Sequence, residues 1–131
     1  MSKTGPLAAS ATILVADDSA DTRAVLRRTL ATYGYRVVEA ADGHEAVRVA
    51  QSECPDLVLM DLNMPVMDGL AATEGIRELK ERCGDIPIVA VTAFDTYGMR
   101  DAALEAGCDA YLLKPLALDE LESVIAALLL V

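Results

Sequence analysis

The sequence predicts a doubly wound α/β domain with a five-stranded parallel sheet, strand order 2-1-3-4-5, flanked by five helices. Two observations carry this. Short β-rich apolar runs alternate with longer amphipathic segments five times along the chain, the pattern of a parallel sheet sandwiched between helix layers. Three of the runs, Ile13-Leu14-Val15, Leu57-Val58-Leu59 and Ile88-Val89-Ala90-Val91, are continuously apolar, as strands covered on both faces must be. Right-handed crossovers and two helix layers leave 2-1-3-4-5 as the plausible order for a domain of this size.

In chain order, residues 1–11 contain Ser2, Gly5, Pro6 and Ser10 and read as a flexible leader. Residues 12–131 form the domain. The strands are expected over residues 12–16, 35–40, 56–60, 86–91 and 110–113. Ser19 can cap a first helix whose Val25, Leu26, Thr29 and Leu30 recur at helical spacing, and Gly34 ends it. A second helix spans residues 43–53 with Ala46, Val47 and Ala50 inward. A third follows Asp68-Gly69, carries Leu70, Thr73, Ile76 and Leu79 on one stripe, and stops at Gly84. A fourth covers residues 96–106, with Gly98 inside it at a cost of roughly 1 kcal/mol against alanine. The last places Leu118, Leu121, Ile125 and Leu128 three and four apart.

The 131 residues leave room for one domain with one core. Twenty-one acidic against eleven basic residues give a net charge of −10. Such a field repels nucleic acid, and no Lys/Arg run offsets it, so direct DNA or RNA binding is disfavoured. It suits cations and partners with basic surfaces. Cys54, Cys83 and Cys108 are far apart, no C-x-x-C is present and His44 is the one histidine; a zinc site is nearly excluded. The three cysteines are expected to be reduced thiols, and His44 a solvated surface residue. No apolar signal core or membrane-length run occurs, so no membrane association is expected and the address is the cytoplasm.

In a doubly wound sheet, ligands sit beyond the carboxyl ends of the strands. There the sequence reads Asp17-Asp18 after strand 1, Asp61 after strand 3, Thr92-Ala93 after strand 4 and Lys114-Pro115 after strand 5. Any one of these alone is more often a cap or a loop residue. Together they bring three carboxylates, a hydroxyl and an ammonium to one sheet edge. Clustered carboxylates repel and raise one another's pKa unless a cation intervenes. An all-oxygen acidic pocket suits Mg²⁺, which also binds phosphate oxygens. A carboxylate can attack phosphorus to give an aspartyl phosphate, with metal, ammonium and hydroxyl neutralising charge on the equatorial oxygens.

The segments Ile-Leu-Val-Ala-Asp17-Asp18-Ser, Leu-Val-Leu-Met-Asp61-Leu-Asn-Met-Pro65-Val-Met-Asp68-Gly69, Val-Ala-Val-Thr92-Ala93 and Tyr111-Leu-Leu-Lys114-Pro115-Leu resemble the receiver domain of bacterial response regulators. The likeness runs from about residue 12 to 130 and includes single-domain chemotaxis-type regulators. It implies a flavodoxin-like fold and a phosphoacceptor module of two-component signalling. Asp61 would take a phosphoryl group from a sensor histidine kinase or a histidine phosphotransfer protein. Asp18 would coordinate Mg²⁺ directly, Asp17 mainly through water, and Asp61 and the backbone carbonyl of Asn63 would complete the protein ligands. Lys114 would contact the phosphoryl group, and the bond before Pro115 would be cis. Thr92 would close onto a phosphoryl oxygen and Tyr111 change rotamer with it, switching a surface that binds a downstream protein or a second copy of the chain. Asn63 and Phe94, each two residues beyond a site residue, would tune hydrolysis. The domain would catalyse only its own phosphorylation and dephosphorylation.

Two other classes compete. A haloacid-dehalogenase-like phosphatase also uses a strand-end aspartate, but Asp61-Leu62-Asn63 lacks the second acid of its D-x-D pattern and no cap domain is visible. A receiver-like module that is never phosphorylated would usually have lost an acidic or lysine position, and this chain retains all of them.

Overall fold

The computed structural model describes residues 11–93 and 96–129. Its elements, in order, are β1 (Thr12–Ala16), α1 (Ala20–Thr32), β2 (Arg36–Ala40), α2 (Gly43–Glu53), β3 (Leu57–Asp61), α3 (Gly69–Arg77), a 3₁₀ helix (Glu81–Asp85), β4 (Ile88–Thr92), α4 (Met99–Ala106), β5 (Ala110–Leu113) and α5 (Leu118–Leu129). All strands pair in parallel, in the order β2-β1-β3-β4-β5. The expected fold class and strand order are both found.

Alternation along the strands divides the core in two. Leu14, Val58, Met60, Ile88 and Ala90 pack with Ala46 and Ala50 of α2, Ala72 and Ile76 of α3 and Ala103 of α4. Ile13, Val15, Leu57, Leu59, Val89 and Val91 face Leu26 and Leu30 of α1 and Leu121 and Ile125 of α5. Every residue of β3 and β4 is buried, which is why these two runs read as continuously apolar. At β3 that rule breaks once, at Asp61.

The helix starts follow capping chemistry. Ser19 accepts from the Thr22 N–H, Asp42 from Glu45 and Asp68 from Ala71, each satisfying a donor that lacks a helical partner. Three boundaries differ from the sequence-based expectation by two residues or more; the start of β2, both ends of β3 and the end of β4 shift by one. The third helix stops at Arg77 because the Leu79 N–H closes a tighter turn on the Ile76 carbonyl and Lys80 is extended; Gly84 lies inside the following 3₁₀ helix, which ends at Asp85. The fourth helix begins at Met99, with Gly98 as its N-cap at φ +83°. Gly98 therefore has a left-handed role before the helix that a helix-interior cost does not describe. In α1, Val25 shares the apolar spacing yet is 57% exposed. Strand 4 starts two residues late since Pro87 has no N–H for the ladder and supplies its carbonyl to Val58.

The largest correction concerns the cysteines. Cys54, the C-cap of α2, is joined to Cys83 of the 3₁₀ helix by a disulfide across 29 residues. Sequence distance hid the pairing because α2 and the 3₁₀ segment meet at the amino ends of the strands, opposite the expected site. Cys108 is a free, buried thiol, as expected of all three. His44 is exposed, as expected. Most of the leader, residues 1–10, lies outside the described residues, as do Phe94 and the last two residues. Ala11 is buried, and its carbonyl accepts from the Arg36 N–H.

Candidate functional site

Asp17 leaves β1 tied down at three points. Its N–H donates to the Ala40 carbonyl, its Oδ1 accepts from the Ser19 N–H at 2.8 Å, and its carbonyl accepts from Arg23 at 2.7 Å. Arg23 also pairs with Glu39 of β2 at 3.0 Å, so α1 is fastened to the sheet edge directly behind the acidic pair. The sequence reading missed Arg23. Its signal was faint: a basic residue one turn beyond the Ser19 cap, within reach of the strand end.

Asp61 is the last residue of β3 and is 5% exposed. Its Oδ1 accepts from the Asn63 N–H at 3.0 Å, which turns the loop back over the strand end. The Gly69 N–H donates to the Leu62 carbonyl, and a Cβ on Gly69 would sit 2.3 Å from the Asp61 carbonyl oxygen. Only glycine lets α3 start this close to the strand. Between them, Val66 holds φ +68° and is 83% exposed, an outlier conformation for a β-branched residue. Thr92 closes β4 fully buried; the Asn63 amide lies 3.4 Å from its hydroxyl.

Lys114 reaches in from the far edge. Its N–H donates to the Thr92 carbonyl, and the bond to Pro115 is cis, as expected. Its ammonium lies 2.8 Å from Asp17 Oδ2 and 3.5 Å from Asp61 Oδ2. Carboxylate oxygens of Asp17, Asp18 and Asp61 all lie within 4.8 Å of one another. Asp17 and Asp61 are buried, whereas Asp18 is exposed at the mouth.

This charge arrangement is unbalanced. Burial pushes the Asp61 carboxyl above its usual range and the nearby Asp17 charge adds to the push, while the Asn63 N–H and Lys114 only partly oppose it. For Lys114, burial works against the ammonium, but the hydrogen bond and charge of Asp17, with Asp61, outweigh it and the pKa rises. The ammonium thus stays charged. Three carboxylates facing one ammonium leave room for a divalent cation, and an all-oxygen donor set fits a hard ion such as Mg²⁺.

The structure therefore gathers Asp17, Asp18, Asp61, Thr92, Asn63 and Lys114 at one end of the sheet. Tyr111 stands apart on β5, half-buried under the Arg100 guanidinium, whose carbon is 5.7 Å from the ring centroid. Phe94 lies outside the described residues. Tyr97 is fully exposed at the entry to α4.

A family model described as the response regulator receiver domain matches residues 13–126. The chain belongs to this family. Among curated relatives of the receiver domain, the response regulator MprA of Mycolicibacterium vanbaalenii is 46% identical over 117 residues, covering 89% of this chain and 49% of the relative. The transcriptional regulatory protein PrrA of Mycobacterium tuberculosis is 41% identical over 117 residues, with the same coverage. The receiver domain thus spans about half the length of these relatives. Among solved structures, the receiver domain of the sensor histidine kinase PA1611 from Pseudomonas aeruginosa, with a magnesium ion in its active-site cleft, superposes with a TM-score of 0.85 at 37% identity, covering 93% of this chain and 99% of that one. The chemotaxis protein CheY4 of Vibrio cholerae gives 0.84 at 30% identity, covering 91% and 98%. The chain is thus a receiver domain of the kind used by response regulators in two-component systems.

Proposed function

We propose that this receiver domain takes a phosphoryl group on Asp61 in a Mg²⁺-dependent reaction. The observation that carries this is the single buried carboxylate at the end of β3, flanked by two more carboxylates and by Lys114. Mg²⁺ would be held by Asp17, Asp18, Asp61 and the Asn63 carbonyl, and would lower the charge that the incoming phosphoryl oxygens meet. Asp61 Oδ attacks phosphorus as the donor's bond to it breaks, Lys114 stabilises one equatorial oxygen, and Thr92 takes another. The donor would be a histidine kinase or a histidine phosphotransfer protein in the cytoplasm. Beside Lys114 an apolar cavity of about 540 Å³, lined by Val25, Leu26, Pro115, Leu116 and Leu118, supports docking of such a donor over the site. Val25, solvent-facing on α1, forms part of its rim. Among the described residues, no helix is long and apolar enough to cross a membrane. The chain's own catalysis would be confined to gaining and losing its phosphoryl group.

The test is labelling with acetyl phosphate. One phosphoryl group per chain is expected in Mg²⁺, labile to hydroxylamine as an acyl phosphate is. EDTA should block it. Metal-independent labelling would reject the Mg²⁺ role.

The switch is inferred to run from the phosphoryl group through Thr92 to Tyr111, biasing a pre-existing equilibrium of the α4–β5 surface toward a form that binds a downstream protein or a second copy. Thr92→Ala should still accept phosphate. With beryllofluoride and Mg²⁺, its NMR shift changes around Tyr111 should fall to less than about half of those in the native protein; changes of native size would reject the coupling.

Hydrolysis requires a water in line with the new bond. Asn63 can orient one; Phe94 cannot, and would screen the approach, so self-dephosphorylation should be slow. Phe94→Glu should speed the first-order loss of phosphate roughly tenfold. An unchanged rate in a folded, Mg²⁺-competent variant would remove Phe94 from this role.

A further inference from the structure

At the end of the sheet opposite Asp61, the structure holds a second reactive site. We propose that Cys54 and Cys83 form a reversible thiol–disulfide switch, oxidised by a low-molecular-weight disulfide of the glutathione type and reopened by a dithiol, and that its state sets how firmly the bases of β4 and β5 are held.

Four observations converge on it. The two cysteines come from separate segments and meet with Cα atoms 5.2 Å apart, within the range a disulfide requires. Cys83 borders an open cavity of about 480 Å³ with Gln51, Leu79 and Lys80, wide enough to admit a small reagent, and both cysteines are half-buried. The segments stay together without the sulfur bond, because Arg82 donates to the Cys54 carbonyl at 2.8 Å and pairs with Asp56 at 3.5 Å. Opened thiols therefore remain neighbours and can close again. Finally, both segments turn through left-handed conformations at non-glycine residues, Cys54 at φ +42° and Glu81 at φ +61°. Such conformations persist where the surroundings hold them.

A disulfide needed for folding would fit a small domain with little core. Here two apolar clusters already fill both faces of the sheet. An accessible disulfide that folding does not require has the character of a redox-responsive bond. Cys108 stands outside the exchange: it is buried, with its sulfur 3.6 Å from the Thr73 hydroxyl.

The Cys83 thiolate attacks one sulfur of the small disulfide, forming a mixed disulfide and expelling one thiolate, which takes up a proton. The Cys54 thiolate then attacks the Cys83 sulfur and expels the second. The protein loses two protons and two electrons, and the small disulfide takes them up to become two thiols.

Closure reaches beyond the pair through Arg77. Directly after Cys83, the carbonyls of Gly84 and Ile86 accept from Arg77 Nη1 at 3.0 and 2.7 Å. The same guanidinium donates to the Gly107 carbonyl at 3.0 and 2.7 Å and to Asp109 Oδ2 at 3.0 Å. Asp109 Oδ2 also accepts from the Ile88 N–H that opens β4, and Asp109 directly precedes β5, which carries Tyr111. Reduction removes the covalent tie on the 3₁₀ segment, leaving the Arg82 and Arg77 contacts, and so loosens the anchor of both strands without releasing it. Any effect on signalling rests on the receiver reading above; the exchange chemistry does not.

The experiment uses the full chain with Cys108→Ser, equilibrated against mixtures of reduced and oxidised glutathione and read by mass spectrometry and amide hydrogen exchange. The expected result is one two-electron step in which the protein loses two hydrogens. In the oxidised form, exchange at Gly84, Ile86, Gly107 and Asp109 should be roughly tenfold slower. Cys54→Ser should exchange like the reduced form under oxidising conditions. A chain that stops at a mixed disulfide, or exchange at Gly107 and Asp109 that ignores redox state, would overturn the proposal. Acetyl phosphate labelling of both forms is read alongside; its absence in both would count against phosphorylation at Asp61 and leave the redox result standing.

Discussion

Replacing Asp61 by asparagine is expected to abolish phosphoryl uptake and, in metal-free buffer, to stabilise the fold. The first effect is the larger. The amide has no nucleophilic carboxylate oxygen, so labelling should fall below roughly one part in a thousand of the native level. Stoichiometric labelling of this variant would sink the assignment. The second effect follows from the raised Asp61 pKa, caused first by burial and then by the Asp17 charge. Between the unfolded carboxylate range and the raised folded value, the native protein holds a proton that the unfolded chain has released. Stability is therefore full below that window and declines as pH rises through it. At neutral pH the ionised group is a net burden that asparagine removes, for a rise in melting temperature of about 3 °C in EDTA. Mg²⁺ should raise the native protein's melting temperature and narrow the difference from the variant. A variant less stable than the native protein in EDTA would mean that the lost Lys114 contact outweighs the relieved repulsion.

Arg77→Ala should be strongly destabilising although it lies away from the site. Its guanidinium satisfies the carbonyls of Gly84, Ile86 and Gly107 together with Asp109, and the Gly84 and Ile86 residues are buried. Each buried acceptor left without a donor costs about 1–3 kcal/mol. With water reaching the exposed end of the side chain, a loss of about 3 kcal/mol in urea unfolding is expected. Arg77→Lys should recover less than half, because one ammonium cannot span three carbonyls that a planar fork reaches. A loss below about 1 kcal/mol would show that water replaces the network.

The sheet was legible because β3 and β4 are buried on both faces, and such strands announce themselves as unbroken apolar runs. β1 and β5 were placed to the residue, since Ala16 and Leu113 are followed at once by charged residues. The convergence of Asp17, Asp61, Thr92 and Lys114 was legible for a related reason: parallel strands all end on the same edge, so strand-end residues must meet. What was hidden depends on contacts between helix ends. Nothing local marks Cys54 and Cys83 as neighbours, and Arg77 looks like any solvated helix arginine until the 3₁₀ segment folds over it. Gly98 was placed inside the fourth helix because a glycine can occupy a helix interior at modest cost, and only its φ of +83° assigns it to the cap.

The hydrogen bond between Lys114 and Asp17 joins residues 97 positions apart, the longest sequence span among the site's contacts. Closing so large a loop is entropically costly and is reached late, after local helices and neighbouring strand pairs have formed. Until then the acidic residues lack their ammonium, and a chain growing from the ribosome has no Lys114 to offer while β1 is already made. Competence to receive a phosphoryl group is thus a certificate of completed folding: unfinished or misfolded copies cannot compete with finished ones for the signal.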